Sequence, residues 1–182
     1  MSSKVFSIKI FKNHYSTFTN EDGDAELVDW LLMLGVPSSL ALILAMGSVD
    51  ISGNTVVGIL TLGAILTGLL LNLLVLVYDQ KTKHKDKEVP GDDQNRKSWQ
   101  RRYSVIEEVH FNIGYAIWIS LLGMFLGIAA TFNPQGSFAI PLVELDVEIF
   151  TWLISFPLYF VFSHLLLTIY MILKRVYELV TD

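Results

Sequence analysis

The distribution of basic residues constrains this chain more than any other feature of its sequence. All 13 Lys and Arg residues fall into three segments, which alternate with four long apolar runs. The runs are residues 27–46, 55–78, 111–132 and 149–173. Each has about the 20 residues that an α-helix needs to cross the hydrocarbon core of a bilayer. The pattern predicts a single membrane domain, an all-α bundle of four transmembrane helices.

The basic segments also predict an orientation. They lie before the first run, in the loop 79–110 and after the fourth run, whereas the loops 47–54 and 133–148 contain no Lys or Arg. Basic residues accumulate in the short cytoplasmic loops of membrane proteins. We therefore expect cytoplasmic N and C termini, a cytoplasmic loop 79–110, and the other two loops on the outer side.

Composition narrows the chemistry that the chain can perform. The sequence contains no cysteine, which excludes disulfides, a thiolate nucleophile and cysteine-based metal sites. No Asp, Glu, Lys or Arg lies deep in any run, since Asp29 is close to the inner end of the first one. Coupled exporters and intramembrane aspartyl proteases depend on such groups. We therefore expect a protein that is not an enzyme, with no catalytic residue, metal or cofactor.

Three side chains form a hypothetical polar or gating site near the membrane midplane: Pro37, Asn72 and His164. Pro37 removes a backbone donor and crowds the preceding turn, which predicts a kink in the first run. His164 could hydrogen-bond Asn72 or Ser120 inside the bundle, or it could line a polar path and change its charge near neutral pH. Alternatively, His164 is a structural residue whose hydrogen bonds are satisfied.

Small residues in the second and third runs predict close helix packing. They include Gly63 and Gly68 in the second run and Gly123 and Gly127 in the third. Small side chains let helix backbones approach closely, and in lipid this packing replaces the hydrophobic drive for association. The contacts could lie within one chain or between chains, and we favour contacts within the chain.

The loop 79–110 carries an amphipathic stripe. Trp99, Tyr103, Ile106 and His110 are spaced i, i+4, i+7 and i+11, and a capping-box pattern runs from Ser104 to residue 107. We expect a pre-membrane helix whose aromatic side chains rest at the membrane interface, while its arginines meet anionic headgroups or an acidic partner.

The same loop is the candidate surface for docking a partner or binding headgroups. Eight of the 13 basic residues lie in it, and one tryptophan lies between them. No nucleic-acid-binding motif accompanies these charges, so we expect contacts with the lipid bilayer and a cytosolic protein rather than with DNA or RNA. The candidates are Lys81, Lys83, Lys85, Lys87, Arg96, Lys97, Trp99, Arg101 and Arg102.

Two further segments have alternating patterns. Apolar residues alternate within residues 6–10, which is typical of a short N-terminal strand or a partly ordered terminus. Near the outer end of the fourth run, Glu144, Asp146 and Glu148 alternate with apolar residues. Either they lie on an exposed strand or the fourth helix begins near Pro141, with the acids in its first turns. In a symmetric oligomer both arrangements would place a ring of carboxylates around the outer mouth.

These features favour two functions of different classes. The first is a non-enzymatic, oligomeric membrane anchor or sensor that recruits a cytosolic effector to its inner face. The second is a small pore or ion channel that depolarises the membrane, in which the outer acidic residues would select cations. The inner segments are too short for a catalytic domain but long enough to dock a partner.

The four-span layout, the absence of cysteine, the basic inner loop and segments such as the leucine-rich residues 69–79 carry a family resemblance. In these features the whole chain resembles the membrane subunit of the bacterial Kiwa anti-phage defence system. The resemblance implies a homo-oligomer in the bacterial inner membrane that senses phage-associated disturbance and holds a DNA-binding cytosolic partner. It transfers no role to any particular residue.

Overall fold

The computed structural model describes His14 and residues 30–47, 53–86, 89–131, 139–140, 143–144 and 147–181. A π-helical turn, Leu31–Gly35, leads directly into the first α-helix. The elements that follow in chain order are α1 Val36–Met46, α2 Gly53–Lys85, α3 Asp93–Thr131, β1 Ala139–Ile140, β2 Val143–Glu144 and α4 Val147–Thr181.

The structure confirms the predicted all-α bundle of four apolar helices. Three helices are long and apolar enough to cross a membrane: α2, α3 and, within α4, Trp152–Tyr177. The stretch Leu31–Met46 is apolar but shorter. The predicted short strand at residues 6–10 lies outside the described residues.

The helices stand in a row rather than in a closed square. Among the described elements, the backbone of α2 lies beside α3 alone, α3 lies between α2 and α4, and α4 also contacts α1 and the π-helical turn. The apolar core fills the contact between α2 and α3 and the contact between α3 and α4. It includes Leu70, Ile113 and Leu165. As a result, α1 and α2 follow each other in sequence but occupy opposite ends of the row.

The first run contains a π-helical turn just before Pro37, where a kink was predicted, and the kink itself stays a prediction. Pro37 lies in the first turn of α1, immediately after that turn. Because the π-helical turn continues directly into α1, the carbonyl oxygen of Met33 lies one turn before Pro37 and receives no backbone hydrogen bond from it. In a regular α-helix the ring of Pro37 would crowd the turn before it. Here that preceding turn is the π-helical turn, which is wider than an α-helical turn.

The predicted pre-membrane helix is the first part of α3 and not a separate element. The chain bends at residues 91–92, and α3 then runs without a break from Asp93 to Thr131. Asp93 forms an ion pair with Arg96 in the first turn. The capping-box interpretation at Ser104 is therefore wrong: Ser104 lies in the middle of a helix, with its hydroxyl 3.4 Å from a carboxylate oxygen of Glu108.

At the opposite end of the molecule, a short hairpin precedes α4. β1 and β2 pair antiparallel, with Ala139 opposite Glu144. Because α4 begins at Val147, the alternative in which this helix starts near Pro141 is wrong. The three predicted acidic residues therefore divide: Glu144 lies on β2, Glu148 lies in the first turn of α4, and Asp146 lies outside the described residues.

The three long helices exceed what a bilayer requires. α2, α3 and α4 contain 33, 39 and 35 residues, or about 50–58 Å at about 1.5 Å per residue, against a hydrocarbon core of about 30 Å. For α2 and α3 the excess lies at the same end, because residues 79–85 of α2 pack beside residues 93–110 of α3. We call these two ranges the stalk.

Candidate functional site

An aromatic ladder holds the two helices of the stalk together. His84 of α2 stacks on Trp99 of α3 with ring centroids 4.8 Å apart, and Trp99 stacks on Tyr103 at 5.7 Å. A ring nitrogen of His84 also lies 3.1 Å from the backbone oxygen of Trp99. The aromatic rings of the predicted stripe therefore face α2, and their placement at the membrane interface stays a prediction. The same spacing suits a helix–helix seam as well as a membrane surface.

Two ion pairs tie three helices together at the base of the stalk. Lys81 of α2 lies 2.8 Å from Glu107 of α3, and Arg175 of α4 lies 3.1 Å from Glu108 of α3. The Lys81 ammonium also lies 5.5 Å from the ring centroid of Phe111, within the range of a cation–π contact. All four charged side chains are partly exposed, so each ion pair adds little stability on its own. Together they fix the register of the helices.

The structure divides the predicted docking residues by what they contact. Lys81, Lys83 and Arg96 form ion pairs with carboxylates of the chain, Trp99 lies in the ladder, and Lys87 lies outside the described residues. Lys85, Lys97, Arg101 and Arg102 are exposed.

Lys97 and Arg101 lie one turn apart on α3, and we call them the basic face. Neither forms an ion pair within the described part of the chain. Because their charges are not neutralised by carboxylates of those residues, they are available to an outside partner.

Three of the four predicted packing glycines lie at helix contacts. A β-carbon at Gly63 would lie 2.7 Å from Cγ of Met124, and one at Gly123 would lie 2.9 Å from the ring of Phe162. Gly127 faces α2 in the same way. A β-carbon at Gly68 would have nothing within 4 Å. Within the part of the chain that the structure describes, Gly68 therefore does not serve helix packing.

A network of polar side chains reinforces the seam between α2 and α3. The Ser120 hydroxyl donates to the backbone oxygen of Gly63 at 3.1 Å and lies 2.8 Å from the Thr67 hydroxyl. Thr67 itself donates to the same Gly63 oxygen at 2.8 Å. The close approach at Gly63 and these hydrogen bonds depend on each other, since both need the helices at this spacing.

A buried polar cluster joins His14 to the π-helical turn, α3 and α4. Nδ1 of His164 donates to the backbone oxygen of Met33 at 2.9 Å, and its Nε2 lies 2.9 Å from the Tyr115 hydroxyl. Nδ1 of His14 donates to Oδ1 of Asn112 at 2.8 Å. His14 stacks on the Tyr115 ring with centroids 3.7 Å apart. We call these five residues the polar cluster.

The sequence explains why His164 binds Met33. In a regular α-helix the oxygen of residue 33 would accept the N–H of residue 37, but Pro37 has no N–H. His164 supplies a donor to that oxygen from the neighbouring helix. Pro37 and His164, which were predicted to share a polar site, are thus linked through Met33.

The third member of the predicted midplane site lies elsewhere. Asn72 is exposed on α2, at the far end of the row from α1. Neither of the expected bonds of His164, to Asn72 or to Ser120, is formed. Asn72 therefore belongs to the outer face of α2 and not to the interior.

Sequence reasoning missed His14, Asn112 and Tyr115. Asn112 and Tyr115 lie three residues apart, and an amide at the start of an apolar run was the one available signal. His14 had no such signal, because it lies in a polar segment without helical periodicity.

The residues that the structure describes contain no group of three His, Asp or Glu that could hold a metal ion. No protein-family model, curated protein or solved structure matches this chain.

Proposed function

We propose that this chain is a non-enzymatic, self-associating membrane subunit that anchors a cytosolic protein partner at the inner face of a bacterial membrane. The observation that supports the proposal is the stalk, a helical hairpin that extends beyond the apolar runs of α2 and α3 and carries two basic residues that form no ion pair within the described residues. Its concentration of Lys and Arg favours a cytoplasmic location, with both termini on the same side. The setting of anti-phage defence rests on the architectural resemblance alone.

Distance favours a protein partner over lipid for the basic face. Lys97 and Arg101 precede residue 111, where the apolar run begins, by about 21 and 15 Å along the helix axis. The headgroup layer occupies only about 6 Å of that distance. Charges farther from the surface than the Debye length, about 8 Å at physiological salt, interact weakly with anionic lipids. The basic face therefore suits an acidic surface of a cytosolic protein.

The polar side chains of α4 favour an anchor over a pore. The Ser163 hydroxyl donates to the backbone oxygen of Tyr159 at 2.7 Å, and Thr168 donates to that of His164 at 2.9 Å. These hydroxyls are satisfied by their own helix. Such bonds are common in inert transmembrane helices and need no water-filled path.

Neutralising the basic face should release the partner without affecting membrane insertion. We expect the double variant Lys97→Gln, Arg101→Gln to lose most of the cytosolic protein that co-purifies with the tagged wild type in mild detergent. The physical reason is the loss of two charges that have no ion pair within the described stalk. The measurement is mass spectrometry of the affinity-purified complex, with the amount of chain in the membrane fraction as reference.

The matched control changes net charge equally on a different face of α3. Asn95→Glu with Ser98→Glu also lowers the net charge by two at exposed positions, so it should retain the partner if contact with the basic face matters. Equal retention by both double variants would contradict the docking surface. A tagged wild type that carries no stoichiometric cytosolic protein would contradict the anchor function itself.

The outer face of α2 supports self-association. Only 11% of the apolar stretch of α2 is buried, against 39% for α3 and for α4. Ala64, Gly68 and Asn72 lie on that exposed face at spacings of four residues. An amide in hydrocarbon is costly unless it is hydrogen-bonded, and Asn can both donate to and accept from a second Asn. Because symmetric copies in a membrane share one depth, Asn72 would meet Asn72 of another copy.

Replacing Asn72 should weaken this association. We expect Asn72→Leu to raise the dissociation constant between copies about fivefold, since an interhelical hydrogen bond in lipid contributes about 1 kcal/mol. Asn72→Gln keeps the amide and should restore the oligomer. The measurement is mass photometry of the purified protein in mild detergent. An oligomer distribution that is unchanged in Asn72→Leu would rule out this interface.

A further inference from the structure

One side of α4 is uncovered near the end that lies beside the base of the stalk. Leu166, Tyr170 and Leu173 are 57%, 68% and 60% exposed, and Lys174, the next residue, is exposed as well. Positions 166, 170 and 174 are spaced four residues apart, so they follow one another along a single side of the helix. We call these four residues the α4 ridge. Their exposure shows that no described helix covers this side.

An ion pair relates the depth of Lys174 to that of the neighbouring helix. Arg175, the next residue of α4, lies 3.1 Å from Glu108 of α3. Glu108 precedes residue 111, where the apolar run of α3 begins, by about 4.5 Å along the helix axis. Lys174 itself directly follows the apolar run 149–173 of α4. Both helices therefore place Lys174 at the level of the headgroup layer, which is about 6 Å thick.

At this depth Lys174 differs from the other basic residues of the described helices. The ammonium of Lys81 is paired with Glu107, and the guanidinium of Arg175 is paired with its carboxylate partner on α3. Lys174 forms no ion pair with any described residue. The charge of Lys174 is therefore available to an anion in the headgroup layer, whereas the basic face of the stalk lies too far from that layer.

Tyr170 offers a second polar group to a ligand at this depth. It lies one turn before Lys174 on the same side of α4, about 6 Å deeper along the helix axis. Its hydroxyl forms no hydrogen bond within the described part of the chain. A hydroxyl beside hydrocarbon is costly unless it is hydrogen-bonded, and tyrosines at a membrane boundary lie at headgroup level. A lipid phosphate can supply the acceptor that Tyr170 lacks.

We propose that the α4 ridge binds an anionic phospholipid in the leaflet next to the stalk. The Lys174 ammonium pairs with the phosphate, and the Tyr170 hydroxyl donates to one of the phosphate oxygens. The acyl chains lie along Leu166 and Leu173. The polar and apolar parts of the ridge thus follow the order of the polar and apolar parts of a lipid. The inference does not depend on the anchor function, because the stalk and its basic face take no part in it.

Native mass spectrometry of the full chain in mild detergent tests the lipid site. The chain is titrated with phosphatidylglycerol and, separately, with phosphatidylcholine of the same acyl chains, and the dissociation constant of the first bound lipid is measured for each. We expect the wild type to prefer phosphatidylglycerol, because the choline group of the other lipid cancels the phosphate charge. Lys174→Gln should lower this preference about fivefold, which is the contribution of one lysine near an anionic surface.

Two further variants separate the site from overall charge. Lys97→Gln is the matched control, because it removes the same charge at an exposed position of the stalk, and it should keep the wild-type preference. Tyr170→Phe should weaken the binding of both lipids by a similar factor, because both carry the phosphate that the hydroxyl contacts. It should therefore leave the preference for phosphatidylglycerol unchanged. All three substitutions are at exposed or half-exposed polar groups outside the apolar core, so the variants should fold.

The lipid site would be overturned by any of four results. The wild type could bind both lipids equally, or Lys174→Gln could keep the full preference for phosphatidylglycerol. An equal loss of preference in Lys97→Gln and Lys174→Gln would mean that net charge alone is responsible. A shift of Tyr170→Phe towards monomers in mass photometry would show that a second copy of the chain, and not a lipid, occupies the ridge.

Discussion

Replacing Gly63 with leucine is expected to separate α2 from α3, whereas the same replacement at Gly68 is expected to leave the fold of the monomer intact. At Gly63 even a β-carbon would lie 2.7 Å from Cγ of Met124, and a leucine adds three more carbons. Overpacking of this kind costs about 1–3 kcal/mol or more. It would also pull apart the hydrogen bonds that Ser120 and Thr67 donate to the Gly63 oxygen.

The measurement is the apparent melting temperature of the monomer in detergent, followed by fluorescence-detected size exclusion, because Gly68 also lies on the proposed self-association face. Gly68→Leu is the matched control, because it makes the same chemical change on the same helix where a β-carbon would have nothing within 4 Å. Gly63→Leu should melt clearly below the wild type, whereas Gly68→Leu should melt close to it, because a change at an uncontacted position alters the free energy of unfolding by only about 0.5 kcal/mol. If both variants melt at the same temperature, the α2–α3 seam is not where the structure places it.

Replacing His164 with leucine is expected to loosen the start of α1. The change removes the donor to the Met33 oxygen and the bond to the Tyr115 hydroxyl. Loss of the partner of a buried polar group costs about 1–3 kcal/mol for each group. The start of α1 should respond most, because Pro37 cannot supply Met33 with the backbone donor that a regular helix would offer.

Hydrogen–deuterium exchange of peptides from residues 30–47 measures this loosening. Ser163→Ala is the neighbouring control, since the Ser163 hydroxyl bonds the backbone of its own helix at Tyr159. We expect faster exchange at the start of α1 in His164→Leu and wild-type exchange in Ser163→Ala. Wild-type exchange in His164→Leu would mean that the bond to Met33 contributes nothing to holding α1 in place.

Gly63 and Gly68 show that the sequence could not predict which small residues lie at a helix contact. Gly63 and Gly68 have the same chemistry and lie in the same apolar run, and both were predicted to pack. The structure gives a close neighbour to Gly63 and none to Gly68. Which side of α2 faces α3 depends on partners such as Ser120, which is 57 residues from Gly63 in sequence, and no local pattern encodes that choice.

The stripe of Trp99 and Tyr103 is a second example. Its spacing correctly predicts a helix with one aromatic face, but a membrane surface and a neighbouring helix both accept such a face. In the structure this face meets a neighbouring helix, because His84 stacks on Trp99 from α2. The polar cluster is a third example, since His14 lies far from its partners in sequence and follows no periodic pattern.

By itself, the sequence determined the number of apolar helices, their approximate limits and the concentration of positive charge at one end of the molecule. These properties are local, because a run of about 20 apolar residues must form a helix in lipid and a charged residue must stay near water. Only the tertiary structure decided the order of the helices, the outward position of Asn72 and the burial of His14. In lipid every apolar helix face is equally well solvated, so hydrophobicity alone cannot specify which face another helix covers.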